Sequence, residues 1–487
     1  MLFIFQFLYQ YCLILICIIF RNLLIQNFDD PMKKKNLKSA HLTETSTTTA
    51  SSKSSLSRRE FVGQTAKAFT GFMILPRFVL GGKNVLGEKI IAPSDMIQLG
   101  FIGTGKQGRT LTNYFLKTGE IKIGAISEVY QAKAQLTLDS IKTFYQKNPT
   151  AGTYSDIPVY NDFRELLALK NIDAVVIASP DHWHAAMAVR AAEAGKDIYC
   201  EKPLSLTVKE GRAMVNAARK NKRVFQTGSM QRSWNEFRQV AELIRNGYIG
   251  EVKSVKVNVG PPPTPFDLPE ETVPEGLDWL KWLGPNSFTH FNSELAPPVS
   301  KDVFPNWRMY TEFGGGKVTD WGAHMFDIVQ WSLDMDHAGP SKVFGPDKDH
   351  AFLTYEYPNG TVVTHEPWEW NNAILFQGTE GVIKVQRGKV ETTPASLKDK
   401  VIGPNEKHVY KSENHYKDFL QAMRDRSKPI CDVEIGHRTA SMCNIGNIGY
   451  QLKRPLQWDA KKEQFLHDAE ANALLGRKLY NEWAIKI

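Results

Sequence analysis

A short apolar strand signal, Met96-Ile97-Gln98-Leu99-Gly100-Phe101-Ile102, runs directly into Gly103-Thr104-Gly105-Lys106-Gln107-Gly108 and then into the helical pattern Arg109 to Lys117. Few folds accept that order of strand, glycine turn and helix. The first glycine permits a tight turn and the second leaves room for a pyrophosphate beside the backbone. The third lets helix pack on strand, with the phosphates at the helix N-terminus. A second strand pattern, Ile121 to Ser127, ends in Glu128, about 20 residues beyond the turn, where an acid accepts from ribose hydroxyls. A carboxylate there repels a 2′-phosphate, so NAD is expected over NADP. Gly103, Gly105, Lys106, Gln107, Gly108 and Glu128 are the cofactor contacts this stretch predicts.

Strand and helix patterns then alternate, which predicts a doubly wound parallel sheet with its ligand edge at the strand C-termini. Asn161 is expected to cap a helix over Asp162 to Leu169, and the apolar run Ile172 to Ala178 reads as the next strand. At the edge lies Ser179-Pro180-Asp181-His182-Trp183-His184, opening a helix over Ala185 to Ala194. Asp181 is expected to cap that helix, and Ser179, Pro180 and His184 to border the cofactor. His182 and His184 have no third ligand nearby, so no metal is expected.

The strand pattern Asp197 to Cys200 delivers Glu201-Lys202-Pro203 to the same edge. An ammonium at the end of an apolar strand is poorly hydrated and therefore suited to proton exchange near neutral pH. Glu201 and Lys202 complete the predicted cofactor contacts. Thr207 and Glu210 form a capping box for the helix that follows, which keeps the intervening loop short.

Val224 to Gly228 reads as the last strand of this half, Asn235 to Asn246 as a helix, and Glu251 to Val259 as a strand with one wet face. The proline-rich stretch Gly260 to Pro305 is expected to wall a pocket. Beyond it comes Gly314-Gly315-Gly316-Lys317-Val318-Thr319-Asp320-Trp321-Gly322-Ala323-His324. A helix would stack Asp320 and His324 on one face, where a carboxylate and an imidazole bind a diol and move a proton. Ala351 to Tyr357 and Thr361 to His365, joined by Pro358-Asn359-Gly360, read as antiparallel strands. The free face of their sheet is expected to serve in a homo-oligomer. His415 to Arg426 and Glu463 to Leu479 read as helices.

The chain has 487 residues and a formal net charge of +8, which looks basic. Nearly all of that excess lies in residues 32–94, leaving roughly +1 for the body, so no nucleic-acid partner is expected. Residues 1–31 contain an uncharged stretch, Met1 to Phe20, about long enough to cross a bilayer. It reads as an upstream mis-start or, if real, as a membrane anchor. Residues 32–94 read as a leader: Met32-Lys33-Lys34-Lys35 begins it, and Ser57-Arg58-Arg59-Glu60-Phe61-Val62 resembles a twin-arginine signal. A periplasmic protein without stable membrane association after processing is therefore expected. Residues 95–228 then form a nucleotide domain and 229–487 a substrate-binding and oligomerisation domain.

From about Ser94 onward the chain resembles the glucose-fructose oxidoreductase and inositol dehydrogenase family, Gfo/Idh/MocA. The resemblance is carried by the glycine turn, the Glu-Lys-Pro triplet and the Gly-Gly-Gly-x-x-x-Asp-x-Gly-x-His motif. It implies an α/β N-terminal Rossmann domain plus an α+β C-terminal domain with an open, mainly antiparallel sheet. It also implies Lys202, Asp320 and His324 as the catalytic group, with either Lys202 or His324 as the base and Asp320 orienting substrate and histidine. Glu128 stands where the family often has Asp. A carbohydrate substrate follows, for which Trp307, Arg308 and Tyr310, beside Asp320 and His324, are the expected contacts.

The expected activity is oxidation of a sugar or glycoside hydroxyl by an exported enzyme that keeps and recycles its NAD. Redox-neutral glycoside cleavage through a keto intermediate is the alternative, and a non-enzymatic sugar-binding protein is a third reading. The NAD-dependent N-acetylgalactosaminidases also resemble the family, but their additional histidine-bearing motif is not evident here.

Overall fold

The computed structural model describes Gly82–Lys83, Lys89–Ile90 and residues 91–486. The hydrophobic stretch 1–20 and the twin-arginine signal at Arg58 and Arg59 lie outside the described residues. Among the described residues no helix is long and apolar enough to cross a membrane.

The first half alternates strand and helix. It runs β1 (Ile97–Ile102), α1 (Lys106–Leu116), β2 (Ile121–Ser127), α2 (Gln131–Lys147), β3 (Val159–Tyr160), α3 (Phe163–Ala168), β4 (Ala174–Ile177), α4 (Asp181–Glu193), β5 (Asp197–Cys200), α5 (Val208–Lys220) and β6 (Phe225–Thr227). All six strands pair in parallel, in the spatial order β3-β2-β1-β4-β5-β6. The order reverses between β1 and β4, which opens a crevice at the strand C-termini. Helices on both faces explain why β4 and β5 are buried throughout.

Helix α6 (Asn235–Arg245) leads to β7 (Val252–Asn258), an inner strand of a second, nine-stranded sheet. Its other members are β8 (Lys342–Phe344), β9 (Leu353–Glu356), β10 (Val362–His365), β11 (Ala373–Gly378), β12 (Val382–Gln386), β13 (Lys389–Thr393), β14 (Pro455–Asp459) and β15 (Gln464–Phe465), in the order β13-β12-β11-β7-β10-β9-β8-β14-β15. Only β7 and β10 pair in parallel, so the sheet is mainly antiparallel. One face of it packs on Phe237 and Leu243 of α6 and on later helical residues such as Phe326, Val329 and Ile445.

Three local expectations are corrected. Asp162, not Asn161, caps α3, because its carboxylate accepts from the Arg164 N–H while the Asn161 amide donates to Asp278 Oδ2 at 3.1 Å. Pro180 occupies the cap position of α4, so Asp181 is the first helical residue and makes no cap bond. The helix expected over 463–479 does not form. Gln464 and Phe465 pair with β14, Glu463 and His467 take left-handed backbone, and only Ala469–Ala473 coils, capped by Asp468.

Candidate active site

A cavity of about 390 Å³ opens along the C-terminal edge of the parallel sheet. That size is in the range of small-molecule and cofactor sites. Gly103, Gly105, Lys106 and Gln107 line one end, and Lys202, Asp320 and His324 line the other.

The turn fits a dinucleotide phosphate. Gly103 has φ +80°, and a Cβ on it would meet Ser179 N at 2.7 Å, so only glycine is accommodated. A Cβ on Gly108 would lie 2.2 Å from Gly103 O, which keeps α1 tight against β1. At Gly105 the same position is open space, and no side chain caps the first N–H groups of α1. Open backbone at a helix N-terminus is an anion cradle. Glu128 lines the crevice, and its Oε2 accepts from Thr104 N–H at 2.7 Å and its Oε1 from Tyr130 N–H at 3.0 Å. The carboxylate thus braces the turn, with lone pairs left for a hydroxyl. Lys133, on the first turn of α2, also lines this end. Opposite the turn, Asp302 accepts from Lys106 Nζ through its carbonyl and from Arg109 through its carboxylate, each at 2.5 Å, while Lys106 lies over the Phe304 ring.

Strand β5 carries Lys202 into the cavity, and the Lys202–Pro203 bond is cis. Glu201, 4% exposed, accepts from Gln107 Nε2 at 3.1 Å and so ties the strand end to the glycine turn. Burial pushes its carboxyl up. Ser179 and Pro180 border the cavity, and His184 fastens them: its ring nitrogens lie 2.9 Å from Pro203 O and 3.0 Å from Ser179 O. His182 points away from the cavity, toward Trp282 O and the Phe313 ring. Among the described residues no cluster fit to hold a metal occurs.

Helix α7 (Trp279–Leu283) interrupts the proline-rich wall before α8 (Gly316–Asp320) and α9 (Gly322–Ser332). Gly316, at φ +68°, passes so close to Pro262 and Pro263 that a Cβ would clash, which fixes where α8 begins. Asp320 and His324 therefore flank a break at Trp321 rather than sharing one helix. Both line the cavity, yet the carboxylate does not reach the ring. Asp320 Oδ1 accepts from Lys202 Nζ at 2.8 Å and Oδ2 from Lys317 Nζ at 3.0 Å, with Arg308 Nε 3.7 Å from Oδ1. Asp320 thus positions the lysine, correcting the expectation that it orients the histidine. Burial opposes its charge, but the Lys202 ammonium, with Arg308 and Lys317, holds the carboxyl well below the usual carboxylate range.

His324 is 6% exposed, and its buried Nδ1 has no hydrogen-bond partner among the described residues. Burial, then Lys202 and Arg387, hold it well below an ordinary histidine, so the ring is neutral near pH 7. Of the expected sugar contacts, Trp307 and Arg308 line the cavity, with the guanidinium 4.4 Å from the Trp307 ring centroid. Tyr310 does not. It packs edge-on against Phe266 and bridges to Thr264, because core packing claims its ring.

Three further cavity residues were not anticipated. Asp181, 3% exposed, faces the cavity, and burial pushes its carboxyl up to about 8. Lys317, three residues before Asp320, was legible from that spacing. Arg387 arrives from the turn between β12 and β13, with nothing in its neighbourhood to mark it.

Residues 97–229 match the NAD-binding Rossmann fold of the Gfo/Idh/MocA oxidoreductase family, and residues 264–485 match that family's C-terminal alpha/beta domain. Among curated relatives, a glycosyl hydrolase family 109 protein of Shewanella baltica (strain OS195) is 31% identical over 172 residues, 35% of this chain and 36% of the relative. A second, from Shewanella sp. (strain W3-18-1), is 32% identical over the same length. The matched stretch thus spans about a third of each relative. The fold is shared with the WlbA dehydrogenase from Bordetella pertussis in complex with NADH and UDP-GlcNAcA, at 16% identity and TM-score 0.52, over 75% of this chain and 99% of that one. It is shared too with the aldose-aldose oxidoreductase from Caulobacter crescentus complexed with glycerol, at 16% identity and TM-score 0.51, over 74% and 99%. With both halves matched and a glycine turn built for the cofactor, the chain belongs to the Gfo/Idh/MocA family of NAD-binding oxidoreductases.

Proposed function

We propose that this protein is an exported enzyme that oxidises a hydroxyl of a sugar or glycoside and retains its NAD between turnovers. The observation that carries the reading is the convergence of Lys202, Asp320 and His324 in the cavity that the glycine turn enters. Bound NAD supplies the hydride acceptor. His324, neutral and with Nδ1 unpartnered among the described residues, accepts the hydroxyl proton. Lys202, held by Asp320, points its ammonium at the developing alkoxide and lowers its energy in a site sheltered from water. Arg308 and Trp307 offer a donor and an aromatic face to a sugar ring.

Export rests on Arg58 and Arg59 in their leader context, and the periplasm offers little free NAD, so the Asp302 contacts across the glycine turn support a retained cofactor. A homo-oligomer built on the nine-stranded sheet belongs to the same reading. The relatives named glycosyl hydrolase family 109 favour a second one, in which oxidation only acidifies the neighbouring C–H, the leaving group is eliminated, and the cofactor is restored. Product analysis after incubation with glycosides separates them: a keto-sugar with reduced cofactor supports net oxidation, and a released aglycone without net NADH supports cleavage.

A further inference from the structure

The Asp320 end of the cavity holds more cations than its carboxylate answers. Lys202, Lys317 and Arg308 share Asp320 at 2.8, 3.0 and 3.7 Å. Arg387 enters the same space and pairs with no carboxylate among the described residues. Its Nε donates to Gln231 Oε1 at 2.8 Å, and its guanidinium lies 4.5 Å from the Trp321 ring centroid and 5.2 Å from that of Trp234. The two Nη groups have no acceptor among the described residues.

An exposed guanidinium with unused donors exchanges its water for a ligand. This one is held between aromatic faces, so little ordering remains when a partner arrives. A neutral hydroxyl satisfies one donor. An oxyanion satisfies the fork and the charge together, and no carboxylate among the described residues pairs with Arg387.

We propose that the pocket selects an acidic sugar, a sugar or glycoside bearing a carboxylate or another oxyanion substituent, and that Arg387 receives that group beside His324. The inference rests on the reading of this cavity as a sugar site and adds the class of sugar. Arg387 is a specificity residue here, distinct from the groups that move the proton.

Equilibrium titration of the NAD-loaded protein tests it with D-glucose and D-galactose, their uronates, and glucose 6-sulfate. Uronates are expected to bind at least about tenfold more tightly than the matching neutral sugars. Glucose 6-sulfate separates the sources: sharing the preference marks a general oxyanion site, and lacking it marks a carboxylate site. Arg387→Gln should erase the preference, and Arg387→Lys should keep part of it, which also controls for folding. Equal binding of acidic and neutral sugars, failure of every acidic sugar to bind, or a preference that survives in Arg387→Gln overturns the proposal. Uronates that bind through Arg387 yet are never oxidised or cleaved overturn the redox reading and leave this one standing. Oxidation of neutral sugars with no acid preference does the reverse.

Discussion

Lys202 Nζ lies 2.8 Å from Asp320 Oδ1 and 2.9 Å from the Asp320 carbonyl, although 118 residues separate the two in the chain. Two of the three ammonium donors are thereby fixed, and the third is left for a substrate oxygen. The pair also joins the end of β5 to the helix break before His324, so one ion pair registers the nucleotide half against the substrate half.

Replacing His324 with Gln removes the proposed proton acceptor while keeping a polar side chain of similar reach. Turnover should fall by about 10²–10⁴-fold, with KM changing far less. Steady-state kinetics with a turned-over sugar read both, and an unchanged kcat would remove His324 from the mechanism.

Asp181 carries a pH signature. Its carboxyl is pushed up by burial to about 8 in the folded protein, against roughly 3.9 in an unfolded chain. The folded state therefore holds a proton that the unfolded state has released, and stability declines as pH rises from about 4 to 8. Asp181→Asn abolishes that component, so wild type should lose ground to the variant across this window. Denaturant melts at several pH values measure the difference, and a gap that does not vary with pH contradicts the assignment.

Asp302 links the outer wall to the glycine turn through Lys106 and Arg109. Asp302→Ala should speed NAD release several-fold with little change in the rate of a single turnover on pre-loaded enzyme. Stopped-flow fluorescence of bound NADH reads the release rate. An unchanged rate would leave cofactor retention to other contacts.

Arg232, 1% exposed, donates to both Asp327 and Asp336 in the core behind the site. Asp327→Ala leaves Asp336 to answer the charge but strips the buried Arg232 Nε and Thr439 hydroxyl of their acceptor, so the protein should lose about 1–3 kcal/mol. Urea unfolding monitored by circular dichroism measures this, and a loss below about 1 kcal/mol would show that the network is not a support of α9.

Local patterns carried the nucleotide half because each determinant there is a short-range one. Gly103 and Gly108 are forced by a turn and a helix within a dozen residues, and Lys202 follows its strand directly. Asp320 and His324 were found by motif spacing, but their relation was not, since the break at Trp321 depends on how Gly316 passes Pro262 and Pro263. Tyr310 and the segment after Glu463 were misread for the same reason: Phe266 claims the first, and Arg212 and His437 draw the Glu463 carboxylate away from any helix. Arg387 left no trace in the sequence, because a hairpin turn of basic composition resembles any solvated loop until the sheet places it.

Lys202→Met, with cofactor binding and nicotinamide reduction measured in the same preparation, tests whether Lys202 carries the chemistry. NAD should still bind, through Gly103, Gly105 and Glu128, while reduction by a sugar that the wild type oxidises falls by at least about a hundredfold. Retained reduction at a comparable rate, with NAD bound normally, would contradict that role.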